Sequence, residues 1–272
     1  VYMVLEGEQP STMAKTTGIG LIELATALTN LKPDFVVTIA DRHETLATAV
    51  AAAYMNIPLV HIQGGEITGS IDEKVRHAIT KLSDYHLVST AQARERVIKM
   101  GEEPETVITT GCPSIDIAAG VLRSPDLDFD PIEKYGGVGA ELDLSQGYLV
   151  VLQHPVTTEH ERARQHVQET LEAATESGFP TLWFWPNPDA GSDGTSRGIR
   201  GFREQHRPRN LHFFKNMAPM DFLRVLYHST CLVGNSSAGI RECSFLGVPV
   251  VNVGGRQAGR DRARNVVDVG YD

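Results

Sequence analysis

Short apolar runs alternate with helical patterns along almost the whole chain, and this alternation is the feature that most restricts the fold. Three examples of these runs are residues 34–40 (DFVVTIA), 148–152 (YLVVL) and 181–185 (TLWFW). Each is followed by a polar or glycine-containing loop and then by apolar residues at helical spacing. Strand, loop and helix in this repeated order predict an α/β fold with doubly wound parallel sheets.

A stretch rich in proline, glycine and aspartate interrupts this alternation after Cys112. The same strand-loop-helix order then begins again near residue 147. A length of 272 residues fits one large domain or two ordinary ones. We therefore predict an amino-terminal domain over residues 1–112, a linker or crossover over 113–146, and a second domain of the same architecture over 147–272.

Composition excludes several classes of function. The net charge of −9 disfavours a nucleic-acid surface, and no apolar run approaches the roughly 18 residues of a membrane span. Three cysteines without paired spacing favour a reducing compartment and argue against a disulfide framework or a zinc site. No signal peptide is visible, so we predict a cytoplasmic protein without a metal site. The chain opens on Val1 in mid-pattern, and we expect further residues upstream.

The segment 61–81 (HIQGGEITGSIDEKVRHAITK) combines a strand end, a glycine turn and a helix start. Acidic residues and His77 crowd this one unit, and ligands bind at the carboxyl ends of strands in open α/β sheets. The sequence therefore predicts a catalytic or binding site here, with Glu66 and Asp72 as candidates. The alternative is structural, because helix starts favour acids and Asp72 could pair with Arg76 four residues later.

Two other strand ends carry residues of the same kind. Asp41 and Arg42 follow the first strand, and a buried acid can serve as a general base. His154 follows the strand at 148–152, where it could act as an acid or stabilise a leaving phosphate. Asp41 could instead cap the next helix, and His154 could be a hydrogen-bonded loop residue.

Two glycine-containing loops are candidates for phosphate binding. Residues 234–242 (GNSSAGIRE) follow a strand and open a helix, so small side chains, hydroxyls and free N–H groups lie together. Glu242 could accept hydrogen bonds from ribose hydroxyls. Residues 254–260 (GGRQAGR) place two arginines in a flexible loop. The alternatives are a helix cap at Asn235-Ser236 and a solvated loop.

Five motifs occur in order along the chain: HIQGGEITGSIDEKVRHAITKL, LQHPVTTE, WPNPDAGS, GNSSAGIRE and GGRQAGR. Together they resemble the UDP-N-acetylglucosamine 2-epimerase family, and the resemblance covers nearly the whole chain. It is closest to the hydrolysing branch, which makes N-acetylmannosamine and UDP in sialic acid synthesis. It implies the GT-B fold, in which two Rossmann-like domains face each other across a cleft.

The resemblance also implies roles for residues of both domains. The second domain would hold UDP, with the uracil beside the segment that starts at Phe214, the ribose at Glu242 and the phosphates at serines and an arginine. The residues implied for the nucleotide are Phe214, Lys215, Ser236, Ser237, Glu242 and Arg256. The first domain would present the sugar to Asp41, Arg42, Gln63, Glu66, Asp72 and His77, with His154 reaching in from the other domain.

The family's reaction explains why several acids would be needed. UDP is eliminated across C1–C2 to give a 2-acetamidoglucal, and water then adds at C1 while C2 is protonated on the opposite face. Asp41, Glu66 and Asp72 are the candidate acids and bases, and His154 would lie near the departing phosphate. The resemblance implies no cofactor, UDP-N-acetylglucosamine and UDP as ligands, and a homodimer or homotetramer.

Two departures from the family pattern leave alternatives open. Gln63 stands where many relatives have a glutamate, and a neutral amide cannot act as a base. The substrate could then be a GDP- or UDP-linked 2,4-diacetamido sugar. The family's first β-α unit and final helix are also absent from these residues. A GT-B glycosyltransferase and a non-catalytic nucleotide-sugar binding protein are the other hypotheses.

Overall fold

The computed structural model describes residues 3, 9–69, 71–187 and 190–271. Ser70, Pro188 and Asp189, which belong to the motifs quoted above, lie outside the described residues. The chain forms two compact units that divide between Cys112 and Pro113. None of the helices described is both long and apolar enough to cross a membrane.

The first unit alternates strands and helices. Its helices are α1 (Pro10–Leu31), α2 (His43–Tyr54), α3 (Ile71–Leu82) and α4 (Ala91–Lys99). Its strands are β1 (Val36–Ile39), β2 (Leu59–Ile62), β3 (Tyr85–Val88) and β4 (Val107–Thr109). A 3₁₀ turn at Pro104–Thr106 precedes β4. Among the described residues, these strands form one parallel sheet in the order β1-β2-β3-β4.

Burial of small and branched side chains holds this unit together. The alanines of α2 pack with Leu28, Leu59 and Ile79 in one core cluster, since alanine lets a helix approach a sheet closely. The apolar strand β1 was expected to be buried on both faces. In the residues described it lies at the sheet edge, and Val37 and Ile39 are half exposed, because only the face of Val36 and Thr38 is covered.

The second unit repeats the alternation with more elements. Its helices are α5 (Pro113–Arg123), α6 (Pro131–Tyr135), α7 (Ala163–Glu176), α8 (Ser192–His206), α9 (Pro219–Tyr227), α10 (Ser237–Ile240) and α11 (Glu242–Leu246). Its strands are β5 (Val138–Gly139), β6 (Leu149–Leu152), β7 (Thr181–Phe184), β8 (Leu211–Phe214), β9 (Cys231–Gly234), β10 (Val250–Val253) and β11 (Val266–Val269). A 3₁₀ segment, Thr157–Arg162, precedes α7.

The order of these strands determines where a ligand can bind. Among the described residues the sheet runs β11-β10-β9-β6-β7-β8-β5, and all its pairs are parallel except β5 with β8. The chain moves outward from β6 through β7 to β8, then returns to β9 on the other side of β6. The order therefore reverses between β6 and β9, which is a topological switch point of a doubly wound sheet. The predicted α/β fold class with parallel sheets is confirmed.

The segment expected to be a linker, residues 113–146, instead packs within the second unit. Ala118 and Val121 of α5 are fully buried in its main core cluster. Val138 of β5 pairs antiparallel with Phe213 of β8. The many prolines, glycines and aspartates of this segment serve as caps and turns between short elements. Asp130, for example, accepts hydrogen bonds from the backbone at the start of α6.

Two further elements differ from the sequence prediction. The helix expected over residues 238–246 is broken at Arg241, whose ψ of −71° separates α10 from α11. Glu242 therefore begins the second of two short helices. The strand β11 was not predicted, and it extends the sheet beside β10.

Candidate functional site

The carboxyl ends of β1 to β4 bring four polar positions to one edge of the first sheet. Asp41 follows β1, Gln63 follows β2, Ser89 follows β3 and Cys112 follows β4. Parallel strands end on the same side, so residues far apart in sequence meet there. This edge contains the predicted sugar-side residues of the first unit.

A buried arginine organises the acids at this edge. Arg76 lies on α3, is 1% exposed, and forms an ion pair with Asp41. Its Nη1 also donates a hydrogen bond of 2.8 Å to the backbone carbonyl of Glu66. A guanidinium is rarely buried unless it is paired, because its desolvation is costly. Arg76 thus ties the loop after β1, the loop after β2 and helix α3 to one another.

The loop after β1 does not use Asp41 as a helix cap. The residue at the cap position of α2 is Arg42, and its side chain makes no capping bond. Arg42 instead donates to both carboxylate oxygens of Glu44, at 3.1 Å each. The capping interpretation of Asp41 is therefore wrong, and its carboxylate is directed to Arg76.

A buried histidine that sequence reasoning did not select supports this loop. His61 is fully buried; its Nε2 lies 2.9 Å from the carbonyl oxygen of Ala40, and its Nδ1 lies 3.2 Å from Thr80 Oγ1. A carbonyl only accepts, so Nε2 carries the proton and Nδ1 accepts from the threonine hydroxyl. Burial lowers the pKa of His61 from 6.5 to about 4. The ring is therefore neutral at physiological pH.

Backbone conformation at this edge is unusual at two strand ends. Ala40 and Gln63 have φ angles of 62° and 65°, a left-handed conformation that costs roughly 1–3 kcal/mol for residues other than glycine. Each residue still donates its N–H to the neighbouring strand, to Ile62 and Leu87 respectively. The chain therefore turns sharply at the position where Asp41 and the glycine loop begin.

Gln63, predicted to bind substrate, lies against a cysteine. Its side chain is 5% exposed and its Nε2 donates to Cys112 Sγ at 3.1 Å. Cys112 follows β4, so this contact joins the ends of β2 and β4. The sequence gives no sign of this pairing, because 49 positions separate the two residues.

The start of α3 carries the other predicted residues of the first unit. Asp72 and Glu73 stand in its first turn. Glu73 accepts a hydrogen bond of 2.9 Å from the backbone N–H of Thr68, which holds the loop before the helix. His77 lies one turn further, 3.9 Å from Glu73, and burial lowers the pKa of its imidazole. Glu66, in the loop, accepts from Ser89 Oγ at 3.3 Å.

The second unit has its own polar edge, at the switch point between β6 and β9. His154 follows β6, and Asn235 follows β9. The Asn235 side chain accepts from the His154 N–H at 2.7 Å and donates to the His154 carbonyl at 2.8 Å. Asn235 is fully buried, so this reciprocal pair fixes the ends of two adjacent strands.

The same centre holds the imidazole of His154 and the loop after β10. His154 Nδ1 accepts from the backbone N–H of Asn187 at 3.2 Å, which places the ring proton on Nε2. The carbonyl of Asn235 accepts from Arg256 Nη1 at 3.2 Å and from Gln257 Nε2 at 2.8 Å. Asn235 is thus a second residue that sequence reasoning missed as an organiser.

The serine loop shows both capping and available oxygens. Ser236 Oγ accepts from the Ala238 N–H at 3.2 Å, so the capping interpretation is confirmed for this residue. Ser237 Oγ accepts from Arg241 Nη2 at 3.0 Å. Within the described part of the chain, the buried Oε2 of Glu242 has no hydrogen-bond partner. Such an oxygen is suited to a hydroxyl donor from a ligand.

Phe214 is placed differently from the expectation that its side chain lies beside a base. Its ring is 1% exposed and belongs to the core, 5.6 Å from the Phe184 ring. Its carbonyl accepts from the N–H of Trp185. The next residue, Lys215, is exposed at the end of β8. Only the segment after Phe214 is therefore accessible at this edge.

Comparisons with known proteins agree with these two edges. A sequence profile of the family described as UDP-N-acetylglucosamine 2-epimerase matches residues 1–272. The chain is 35% identical over 265 residues to the UDP-N,N'-diacetylbacillosamine 2-epimerase (hydrolyzing) of Legionella pneumophila, covering 97% of this chain and 68% of that protein. It is 31% identical over 271 residues to the UDP-N-acetylglucosamine 2-epimerase of Neisseria meningitidis serogroup B, covering 100% and 69%.

A solved structure shares the fold. It is the UDP-GlcNAc 2-epimerase of Methanocaldococcus jannaschii in complex with UDP-GlcNAc and UDP, with a TM-score of 0.79 and 17% identity. The match covers 99% of this chain and 73% of that one. At this identity the likeness shows the GT-B type of fold, with its two Rossmann-like units.

Proposed function

The chain belongs to the UDP-N-acetylglucosamine 2-epimerase family, and we propose that it is a hydrolysing member that converts UDP-N-acetylglucosamine to N-acetylmannosamine and UDP. The observation that carries the proposal is the ion pair between buried Arg76 and Asp41, at the strand edge that also holds Glu66. Acids held at a strand edge are what removal of a sugar C2 proton requires.

The nucleotide is assigned to the second unit. Its switch point lies between β6 and β9, and ligands of doubly wound sheets bind at such points. Ser236, Ser237 and Arg256 would meet the diphosphate, and the buried Oε2 of Glu242 would accept from a ribose hydroxyl. Lys215, exposed after β8, would lie on the uracil side, whereas the Phe214 side chain would contribute only packing.

The sugar is assigned to the first unit. Arg76 fixes the carboxylate of Asp41, and the turn at Ala40, held by His61, fixes the backbone just before it. Asp72, at the start of α3, is the second candidate acid or base. Acid–base catalysis requires groups held within hydrogen-bond reach of the reacting proton, so this support bears directly on the chemistry.

The reaction has two stages. A carboxylate first takes the C2 proton while the C1–O bond breaks, giving 2-acetamidoglucal and UDP. Arg256 and the His154 Nε2–H stabilise the departing diphosphate. Water then adds its oxygen to C1, and an acid delivers a proton to the opposite face of C2. Asp41 and Asp72 supply these two proton transfers.

Proton NMR of the protein with UDP-N-acetylglucosamine in heavy water tests the proposal. The expected products are free N-acetylmannosamine with deuterium at C2, together with UDP, because the C2 proton exchanges with solvent during elimination. Release of UDP-N-acetylmannosamine would contradict the hydrolysing assignment. Recovery of unlabelled product would contradict the elimination.

A second candidate substrate is UDP-N,N'-diacetylbacillosamine. The Legionella relative at 35% identity bears that activity in its name. In this chain Gln63, not a glutamate, stands at the strand end, and its amide is engaged with Cys112. The same NMR measurement with both sugars decides between the two: a kcat/KM that is higher for the diacetamido sugar would replace the first candidate with the second.

A further inference from the structure

A second concentration of positive charge lies on the second unit, away from its candidate nucleotide residues. Residues 197–209 contain five arginines and one carboxylate, Glu204, although the chain carries a net charge of −9. Four of these arginines line a pocket of about 410 Å³ together with the backbone of β5. They are Arg200, Arg203, Arg207 and Arg209.

The four pocket arginines are not neutralised by the protein. Arg197, the fifth, pairs with Asp193 one helical turn away. Among the residues that the structure describes, none of the four pocket arginines forms an ion pair with a carboxylate. The carboxyl end of α8 favours positive side chains but supplies no counter-charge of its own to a pocket of this size. Their mutual repulsion is relieved when an anion enters.

Aromatic rings hold two of the guanidinium groups in place. Arg203 lies 5.2 Å from the centroid of the Phe213 ring, and Arg200 lies 5.7 Å from that of Trp185. Phe213 is 1% exposed, so it forms a rigid floor. Stacking of this kind orients a guanidinium and leaves its N–H edge available to a phosphate. The pocket is therefore organised before any ligand arrives.

The pocket is separate from the candidate nucleotide residues of the same unit. It lies at Leu211, the first residue of β8, beside Gly139 and Ala140 at the end of β5. The nucleotide candidates lie at the opposite end of the strands, where Lys215 follows β8. Four residues of extended strand separate these ends by roughly 13 Å.

We propose that this pocket binds a small molecule bearing a diphosphate or two phosphate groups, as a site additional to the catalytic one. Its volume falls within the roughly 300–1,000 Å³ typical of small-molecule sites. Several guanidiniums around one concave space match the clustered oxygens of such a ligand. A nucleic acid fits less well, because the chain as a whole is acidic and Glu204 lines the same pocket.

Calorimetric titration with inorganic pyrophosphate at low salt tests this proposal. The pocket variant is Arg207→Gln/Arg209→Gln, since both arginines are exposed and neither stacks on a ring. The matched control is Arg164→Gln/Arg197→Gln, which removes the same charge from exposed positions of the same unit outside the pocket. Thermal unfolding by circular dichroism checks that all variants fold.

The expected result is binding by the wild type that weakens about tenfold or more in the pocket variant and stays within about twofold in the control. Arg256→Gln, which alters the candidate nucleotide site, should retain this binding. Arg203→Lys, which keeps the charge but not the planar fork, should weaken it. Absence of pyrophosphate binding, or equal affinity in the pocket variant, would overturn the proposal. So would loss confined to Arg256→Gln, which would place all binding at the nucleotide site.

Discussion

The two strand edges differ in how they hold their polar groups. At the first edge, a buried guanidinium and a neutral imidazole fix carboxylates: Arg76 binds Asp41, and His61 binds the turn before it. At the second edge, one amide side chain, that of Asn235, fixes the backbone around His154, and its carbonyl holds Arg256.

This difference indicates a division of labour. Fixed charges at the first edge suit proton transfer, because they set the position of a carboxylate. Neutral amides, hydroxyls and an arginine at the second edge suit recognition of a diphosphate and a ribose. Substitutions at the first edge should therefore change turnover, and substitutions at the second should change nucleotide affinity and local stability.

The largest effect is expected from Asp72→Asn at the first edge. Loss of a general acid or base lowers kcat by about 10²- to 10⁴-fold, and we expect a fall of about 10³-fold here. Steady-state UDP release measures it, with Glu95→Gln, an exposed acid on α4, as the control. Full turnover by Asp72→Asn would exclude this residue from the chemistry.

The next effect is the dependence of stability on pH at His61. Its pKa in the folded protein is about 4, below the ordinary value of 6.5, so the folded state binds fewer protons between these values. Its contribution is complete above pH 6.5 and is lost as pH falls towards 4, by roughly 3 kcal/mol.

Urea unfolding at pH 7 and pH 5 checks this prediction. His61→Gln should lose less stability between the two pH values than the wild type does. His206→Gln, at an exposed histidine, should behave as the wild type. The buried neighbour His86 also has a lowered pKa, so a residual dependence is expected in the variant. An unchanged slope in His61→Gln would contradict the assignment.

Asn235→Ala tests the second edge. The substitution leaves the buried N–H and carbonyl of His154 without their partner, which should lower the free energy of unfolding by roughly 2 kcal/mol. It should also weaken UDP binding. Urea unfolding and calorimetry measure the two effects, and Asn216→Ala, an exposed asparagine of the same unit, is the control. Wild-type stability in Asn235→Ala would remove this residue as the organiser.

The smallest effect is expected from Ser236→Ala. This change removes the bond from the Ala238 N–H to the serine hydroxyl, and loss of a cap costs about 1 kcal/mol. Ser236→Thr keeps a hydroxyl at the same position and should restore most of this stability. If alanine and threonine behave alike in urea unfolding, the cap contributes nothing measurable.

Local pattern predicted most strands and helices because each apolar run ends at a glycine or polar loop. The segment 113–146 was not predicted correctly, because its apolar residues are spread among prolines and glycines. Burial of Ala118 and Val121 becomes evident only when α5 packs on its unit. The break at Arg241 was also missed, since residues 238–246 have no helix-breaking residue at that point.

The candidate site was predicted unevenly for a similar reason. Charged residues such as Asp41 and Asp72 attract notice in a sequence because a charge needs a partner or a function. His61 and Asn235 do not, since an isolated histidine or asparagine is most often an ordinary structural residue. Their roles depend on contacts 21 and 81 positions away in the chain. Sequence spacing alone carries no information on such contacts.

The division of labour is tested most directly by calorimetric titration of UDP into the wild type, Asp72→Asn and Arg256→Gln. The account predicts that Asp72→Asn binds UDP within about twofold of the wild type, whereas Arg256→Gln binds it about tenfold or more weakly. A large loss of affinity in Asp72→Asn together with unchanged affinity in Arg256→Gln would contradict the account, because it would assign the nucleotide to the first unit.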